Sequence, residues 1–399
     1  MEPLCFEGNV ARRLSRSKAF RPLAAQVEVV LDQWLQRFCQ AWLEEEFTVQ
    51  LGAQRYERTP TRRDRRHSPY PRHLVTSRGV VALQVPRGRH GRYVFSLFER
   101  YQRATAAFET AVVESILAGH STRKARGFFR GLFGQDVVSQ QTASRLLQRF
   151  DGELAVWRQR PLPRQLTLLV LDAVYLRGAV DGDRRARPVL VALGVHPDGH
   201  QEILDFAVAP SESQAAWERF AQGVVNRGLE QVALVVHDDC DAITAAVALC
   251  WPTSREQLCV FHGLRNLSQG LRGHRDRRTV VRWACWLYEA QSAAEFARWA
   301  RQFQQRWRPR LGHPAVQAFV AHWPQTTRYF TLPRPWWAAA KTTNLLERWF
   351  GELRRRVRVF RRPPNSRSCE RWVYALLAQF NHRHMRVPSW RTVESHQLN

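Results

Sequence analysis

Three carboxylates are spaced along this chain in the way a divalent metal would require. Asp172 lies inside the apolar run TLLVLDAVYL, Asp238 follows the apolar stretch 232–236, and Glu347 sits just inside a helix-like segment. A carboxylate in the middle of a hydrophobic strand is costly to desolvate unless a cation or hydrogen-bond donors offset its charge. Oxygen-only ligands drawn from separate segments suit magnesium or manganese better than zinc. A pair of such ions held by carboxylates is a device for in-line attack on phosphodiesters, so two ions of Mg2+ or Mn2+ are the expected cofactors.

Charge indicates which phosphodiester. With 61 basic against 35 acidic residues the net charge is +26, and a polyanion is the expected partner, DNA or RNA. Only Lys18, Lys124 and Lys341 are lysines, so nearly all the positive charge is guanidinium, which grips phosphate and guanine edges in bidentate fashion. A GC-biased genome would also favour arginine over lysine, but it does not explain the excess of base over acid. No stretch of eighteen apolar residues exists, the first residues lack the apolar core of a secretory signal, and seven cysteines show no framework spacing. A cytoplasmic protein with reduced thiols and no membrane segment is expected.

The elements that must position the acids can be read in order. Residues 22–45 carry Val27, Val30, Leu31, Trp34, Leu35, Phe38 and Trp42 at helical spacing, as a core face or a dimer seam. Residues 56–73 are basic and proline-punctuated, which reads as a linker or an arm on phosphate; 75–89 suggest a short hairpin. Helices are expected over 99–117, 121–133 and 139–150, with Ser121 and Ser139 as caps. This is helix-turn-helix spacing: the third helix would turn Ala143, Leu146, Leu147 and Phe150 to a core. Gln140, Gln141, Ser144 and Arg145 are left to read base edges, unless the unit is plain three-helix packing.

Past the prolines at 161 and 163 the pattern becomes strand-rich. Strands at 166–177, 189–195 and 202–208 form an antiparallel meander. A helix capped by Ser211 then runs to 227, followed by a strand at 232–236, a helix at 242–249 and a strand at 257–261. That is the ribonuclease H-like layout, a mixed five-stranded sheet in the order 3-2-1-4-5, and it sets Asp172 beside Asp238. From 265 to 335 only helices are expected, at 278–290, 292–307 and 314–323, with tryptophans that pack or stack on a base. The expected domains are therefore 1–73, helical with a basic linker; 74–160, mainly α and DNA-binding; 161–264, the first part of the core; 265–335, an all-α insertion; and 336–399, the closing helices.

Taken together, GVVALQVPRGR, AGHSTRKARGFFRGLFG, WRQRPL, LDAVYLR, LGVHPDGHQEIL, SES with Trp217, RGL, QLCVFHGLRN and TTNLLERWFGELRRR make the chain resemble the Mutator-type transposases of bacterial insertion sequences, a branch of the DDE recombinases. The likeness runs nearly full length. It implies a ribonuclease H-like core with a helical insertion, catalysis of DNA cleavage and strand transfer, double-stranded DNA at element ends and target as partner, and a homodimer or higher oligomer. The family's acids fall on Asp172, Asp238 and Glu347, and its Cys and His on Cys259 and His262, placed at a strand end and turn. Arg265, Arg354, Arg355 and Arg356 are candidate phosphate clamps.

Competing readings remain at several positions. Asp239 and Asp241 rival Asp238; Glu352 sits about 140 degrees around a helix from Glu347. Asn344 with Glu347 spells a capping box that needs no chemistry. His237, Cys240, Cys259 and His262 could in principle hold zinc, although structural zinc pairs usually sit on knuckle turns. A nuclease or resolvase of the same fold would cut without joining, and a DNA-binding regulator would have lost an acid.

Overall fold

The computed structural model describes residues 20–97, 104–176, 186–310, 312–357 and 365–384. It divides into two compact units, Met1–Leu146 and Leu147–Asn399.

In the first unit a long helix, α1 (Phe20–Leu51), packs on a hairpin of β1 (Arg66–Val75) and β2 (Val80–Gly88). Cys39, Leu43, Phe47 and Leu51, four residues apart, form its core stripe with Leu74, Val81, Leu83, Val85 and Phe95. This corrects the expected stripe: Val27, Val30, Leu31, Trp34, Phe38 and Trp42 are exposed. Apolar residues occupy more than one face of α1, and period alone does not say which face is covered. The polar face completes the seam, since the Gln40 side chain exchanges two hydrogen bonds, of 2.8 and 2.9 Å, with the Gln84 backbone.

The stretch 66–73 is strand rather than linker. Pro69 falls in the register shift between His67 and Tyr70, and Pro71, opposite Gln84, is tolerated because each strand of a two-stranded sheet is an edge. Three helices follow, α2 (Ala106–Leu117), α3 (Thr122–Phe133) and α4 (Gln140–Gln159). Residues 99–103 lie outside the described residues, and α2 begins after Thr105, whose hydroxyl accepts the Phe108 N–H. Ser121 and Ser139 cap as expected, accepting the N–H groups of Lys124 and Thr142. Gly134 ends α3 in the left-handed conformation at φ 70° that favours glycine. The helix α4 runs nine residues past its expected end at Phe150 and carries the chain into the second unit.

The second unit is built on a mixed sheet of β3 (Gln165–Leu176), β4 (Arg187–Val195), β5 (Gln201–Val208), β6 (Gln231–His237) and β7 (Arg255–Leu258). Their order is β5-β4-β3-β6-β7, the expected 3-2-1-4-5, with β3 antiparallel to β4 and parallel to β6. Two helices, α5 (Gln214–Asn226) and α6 (Asp241–Cys250), join one core with it, where Leu169, Leu171, Leu190 and Leu204 meet Trp217, Phe220, Val224, Ile243 and Trp251. Ser213, not Ser211, occupies the cap position of α5, and its side chain makes no cap hydrogen bond.

The strand expected over 257–261 ends at Leu258 instead, and Val260 and Phe261 open helix α7 (Val260–Gly270). A short apolar run has no period that separates strand from helix. The described residues of 265–335 are helical as expected, in α8 (Arg277–Leu287), α9 (Ala293–Arg306), α10 (Pro314–Ala321) and α11 (Trp323–Thr326) with short 3-10 turns between, and α12 (Trp337–Ala340) follows. Trp323 packs edge-on against Phe296, Phe303 and Phe319, whereas Trp286 stacks on Trp299 at 4.1 Å and remains partly exposed.

The closing helices return to the sheet. Helix α13 (Asn344–Val357) packs on β3, and α14 (Ser366–His384) on β5, where Asn381 Oδ1 accepts the Ile203 N–H. Arg371 clamps Asp151 of α4 with bonds of 2.6 and 2.7 Å. No helix among the described residues is long and apolar enough to cross a membrane.

Candidate active site

Parallel pairing of β3 and β6 aligns Val170 with Val236, and the two aspartates each lie two residues beyond that pair, Asp172 inside β3 and Asp238 just past the end of β6. Asp172 is 5% exposed. Its Oδ1 accepts the Ala173 N–H at 2.8 Å, while Oδ2 is buried without a partner; Asp238 Oδ1 is likewise buried and unpartnered. Burial, then the charge of Asp238, push the Asp172 carboxyl up to about 7 against the opposing pull of His262. Burial also raises Asp238, with His262 opposing and Glu212 adding to the rise.

The neighbour of Asp238 points elsewhere. Asp239 is exposed and pairs with His322 Nδ1 at 3.5 Å, so it does not compete for the place beside Asp172. His237 is fully buried, its Nδ1 2.6 Å from the Asp238 carbonyl and its Nε2 3.1 Å from Glu256 Oε2. Both ring nitrogens are thereby occupied, which removes His237 from the zinc set. Among the described residues no group of three or more His, Cys, Asp or Glu side chains is arranged to hold a metal.

His262 acts on both aspartates and Cys259 acts on His262, but from a helix start rather than a strand end. Cys259 is the N-cap of α7, its N–H donating to His237 O at 2.7 Å. Its sulfur accepts the Thr343 N–H at 3.4 Å and lies 3.6 Å from Thr343 Oγ1. Val260 N–H donates to Lys341 O, so the start of α7 is stitched to the KTT segment that leads into α13. The Cys259 sulfur beside the imidazole pushes His262 up and burial pushes it down; the charges of Cys259, Asp172 and Asp238 then leave it at about 9. A protonated imidazole therefore faces one buried and one half-buried carboxyl.

Glu347 is placed in the first turn of α13, on the helix that packs on β3, but its carboxylate does not join the aspartates. Arg354 Nη2, two turns along the same helix, holds its Oε2 at 3.2 Å. Asn344 is the first helical residue and Thr343 O accepts the Leu346 and Glu347 N–H groups, so the capping box expected of Asn344 with Glu347 does not form. Arg355 and Arg356 are both engaged by Glu352, whereas Arg265 is exposed on α7. In the other unit, Gln140, Gln141, Ser144 and Arg145 are exposed along the first turns of α4, with Ala143 and Leu146 buried behind them.

Two side chains at this end of the sheet went unnoticed in the sequence. Tyr175 Oη donates to Glu212 Oε2 at 2.6 Å, and the buried Trp217 Nε1 donates to Glu212 Oε1 at 3.4 Å. The only signal was the SES step before Trp217, which named a motif without a role.

The arrangement holds paired acids beside a cationic imidazole, suited to gathering a metal and a phosphate. Residues 9–387 match the model of the transposases of the Mutator family. Over 342 residues the chain is 36% identical to the transposase for insertion sequence element ISRM5 of Rhizobium meliloti, covering 84% of each protein. It is 33% identical to that for IS406 of Burkholderia multivorans, over 83% of this chain and 85% of that one. The transposase for IS256 in transposon Tn4001 of Staphylococcus aureus is 27% identical over 84% of this chain and 86% of its own. With the match running through both units, this chain belongs to the Mutator family of transposases.

Proposed function

We propose that this transposase binds the ends of an insertion sequence and performs metal-dependent cleavage and strand transfer with Asp172, Asp238 and Glu347 on a ribonuclease H-like core. The observation that carries the reading is the Asp172–Asp238 pair: side by side on neighbouring strands, Asp172 buried and Asp238 half-buried, each with a buried carboxylate oxygen lacking a donor. Buried acceptors of this kind are retained where a ligand completes them. The donor set, oxygen from two strands with a third acid on the helix packed behind them, fits Mg2+ or Mn2+, with Asp172 and Asp238 as first holders and Glu347 joining once it leaves Arg354. Two ions bound there would supply activation of the attacking oxygen and stabilisation of the leaving one.

The chain's own residues account for the rest. His262, protonated at neutral pH, lies where it can hold a phosphate oxygen against the two carboxyls. Cys259 and Thr343 fix its helix to the segment that carries Glu347. Arg265, and Arg354 to Arg356 once released from their acids, would grip the backbone, while Gln140, Gln141, Ser144 and Arg145 of α4 read the element ends. Joining two ends implies at least a dimer acting in the cytoplasm. On this reading 74–160 is the DNA-binding region, 161–264 with 336–399 the catalytic core, and 265–335 the insertion.

The test is a strand-transfer assay with Mg2+ on DNA carrying the inverted repeats that flank the reading frame. Asp172→Ala and Glu347→Gln should each lose cleavage and joining by at least about a thousandfold while end binding is kept. Cutting without joining by the unaltered protein would instead identify a nuclease.

A further inference from the structure

The long helix α1 carries a second apolar face that its own hairpin does not use. Val27, Leu31, Trp34, Phe38, Trp42 and Val49 are exposed along it, on the side away from the Cys39, Leu43, Phe47 and Leu51 stripe. Val27, Phe38 and Val49 stand eleven residues apart, close to three full turns, so the strip runs straight for about 33 Å. Its centre is aromatic and ordered. Trp34 stacks on Phe38 at 5.3 Å, Phe38 lies 5.7 Å from Trp42, and the Trp42 indole N–H donates to Ser96 Oγ at 3.0 Å. Rings already held in place lose little freedom on docking. Trp34 is 60% exposed and Phe38 and Trp42 nearly half, which gives the strip on the order of 700 Å² of apolar surface. The largest apolar patch on an ordinary monomer is about 300–600 Å², and one side of a stable protein interface is about 800 Å².

That area suits a protein surface, and the pattern selects which one. Taken about Phe38 the strip is symmetric in position: Trp34 and Trp42 lie four residues to either side, Leu31 and Glu45 seven, Val27 and Val49 eleven. An antiparallel copy therefore sets indole against indole and valine against valine, as a two-fold contact of one surface with itself requires. A parallel copy would bring two Glu45 carboxylates face to face, since Glu45 is exposed on the same strip and has no partner among the described residues. We propose that this face of α1 is the seam of a homodimer, crossed by α1 of a second copy running antiparallel with Phe38 near the two-fold axis. Trp34 then covers Trp42 of the partner subunit, and Leu31 covers Glu45 of the partner subunit. The inference rests on the reading above that two copies join two ends, and names where the copies meet.

Sedimentation equilibrium of the full chain, in salt high enough to screen its charge of +26, tests this without metal or DNA. The unaltered protein should sediment as a dimer. Phe38→Glu, which buries two charges at the seam, should weaken association at least about a hundredfold, and Trp34→Ala, which only removes area, about tenfold. Leu31→Lys should keep or tighten the dimer, because each added ammonium meets Glu45 of the partner subunit. Leu249→Glu, at a site on α6 as exposed as Trp34, should change nothing. A dimer that survives Phe38→Glu and Trp34→Ala unchanged puts the contact elsewhere and overturns the inference. Dissociation by Leu31→Lys overturns the antiparallel crossing, and dissociation by Leu249→Glu shows that any added acid separates the copies. An unaltered chain that stays monomeric at every concentration also removes this seam, while the two-copy reading survives through assembly on DNA. Failure of that reading shows separately, as cutting without joining in the strand-transfer assay. Far-ultraviolet circular dichroism checks that each variant is folded, and Trp34→Ala with Leu31→Lys carry the comparison if Phe38→Glu is not.

Discussion

At the scale of single residues, Asp172 should make the metal-free protein less stable as pH rises. Its carboxyl titrates at about 7 in the fold against 3.8 in an unfolded chain. Below pH 3.8 it is neutral in both states and costs nothing; between 4 and 7 the unfolded chain ionises first, and above 7 the full cost is present. A displacement of that size is worth at most about 4 kcal/mol. His262, raised to about 9, works the other way: its contribution is complete below 6.5 and is lost as pH passes 9. In chelator, Asp172→Asn should therefore unfold at a higher temperature than the unaltered protein at pH 8 and at the same temperature near pH 4. Added Mg2+ should raise the midpoint of the unaltered protein but not of the variant. An equal difference at both pH values would mean that Asp172 is stabilised by contacts and not waiting for a cation. This residue was legible in the sequence because a charge in TLLVLDAVYL has no cheap explanation. Asp238 against Asp239 was not, since adjacent aspartates at a strand end differ only in which way each side chain turns.

Elements were legible wherever their pattern had one reading. The meander, the parallel return strand and the all-helical insertion follow from period and turn residues. β1 was missed because RHSPYPRH has neither alternation nor apolar content; it is held by its partner strand rather than by its own propensity. The end of β7 was misplaced for the opposite reason, since LCVF is apolar enough for either state, and it is the Cys259 N-cap and the Lys341 carbonyl that turn it into a helix. The same strand also anchors the insertion. Gln257 is fully buried on β7, donates to Leu258 O, and accepts the Tyr329 N–H at 2.8 Å. Gln257→Leu leaves that N–H buried and unpaired, at a cost of about 1–3 kcal/mol. Amide exchange should speed up around the turn Arg328–Thr331 while α1 and the β1–β2 hairpin of the other unit keep their protection. Unchanged exchange at Tyr329 would mean that the insertion is held by its aromatic packing alone.

The whole molecule carries +26, yet its arginines are not equivalent for DNA. A cation already paired with a carboxylate releases little on meeting a phosphate, because the pair must open first; a solvated one releases counterions directly. Arg355 is tied to Glu352 at 2.7 Å, whereas Arg265 is exposed and carries no acidic partner among the described residues. Affinity for an element-end duplex, measured across a range of salt, should show a slope that falls by about one for Arg265→Ala and by much less for Arg355→Ala. Arg145→Ala, on the exposed face of α4, should lose about 1–3 kcal/mol on element ends and little on unrelated duplex, because a base-edge contact discriminates and a phosphate contact does not. If Arg145→Ala weakens both duplexes alike, α4 only lies on the backbone and sequence is read elsewhere. If Arg355→Ala flattens the slope as much as Arg265→Ala does, the Glu352 pairing breaks on binding and α13 moves when DNA arrives, which is also the motion that would free Glu347 from Arg354.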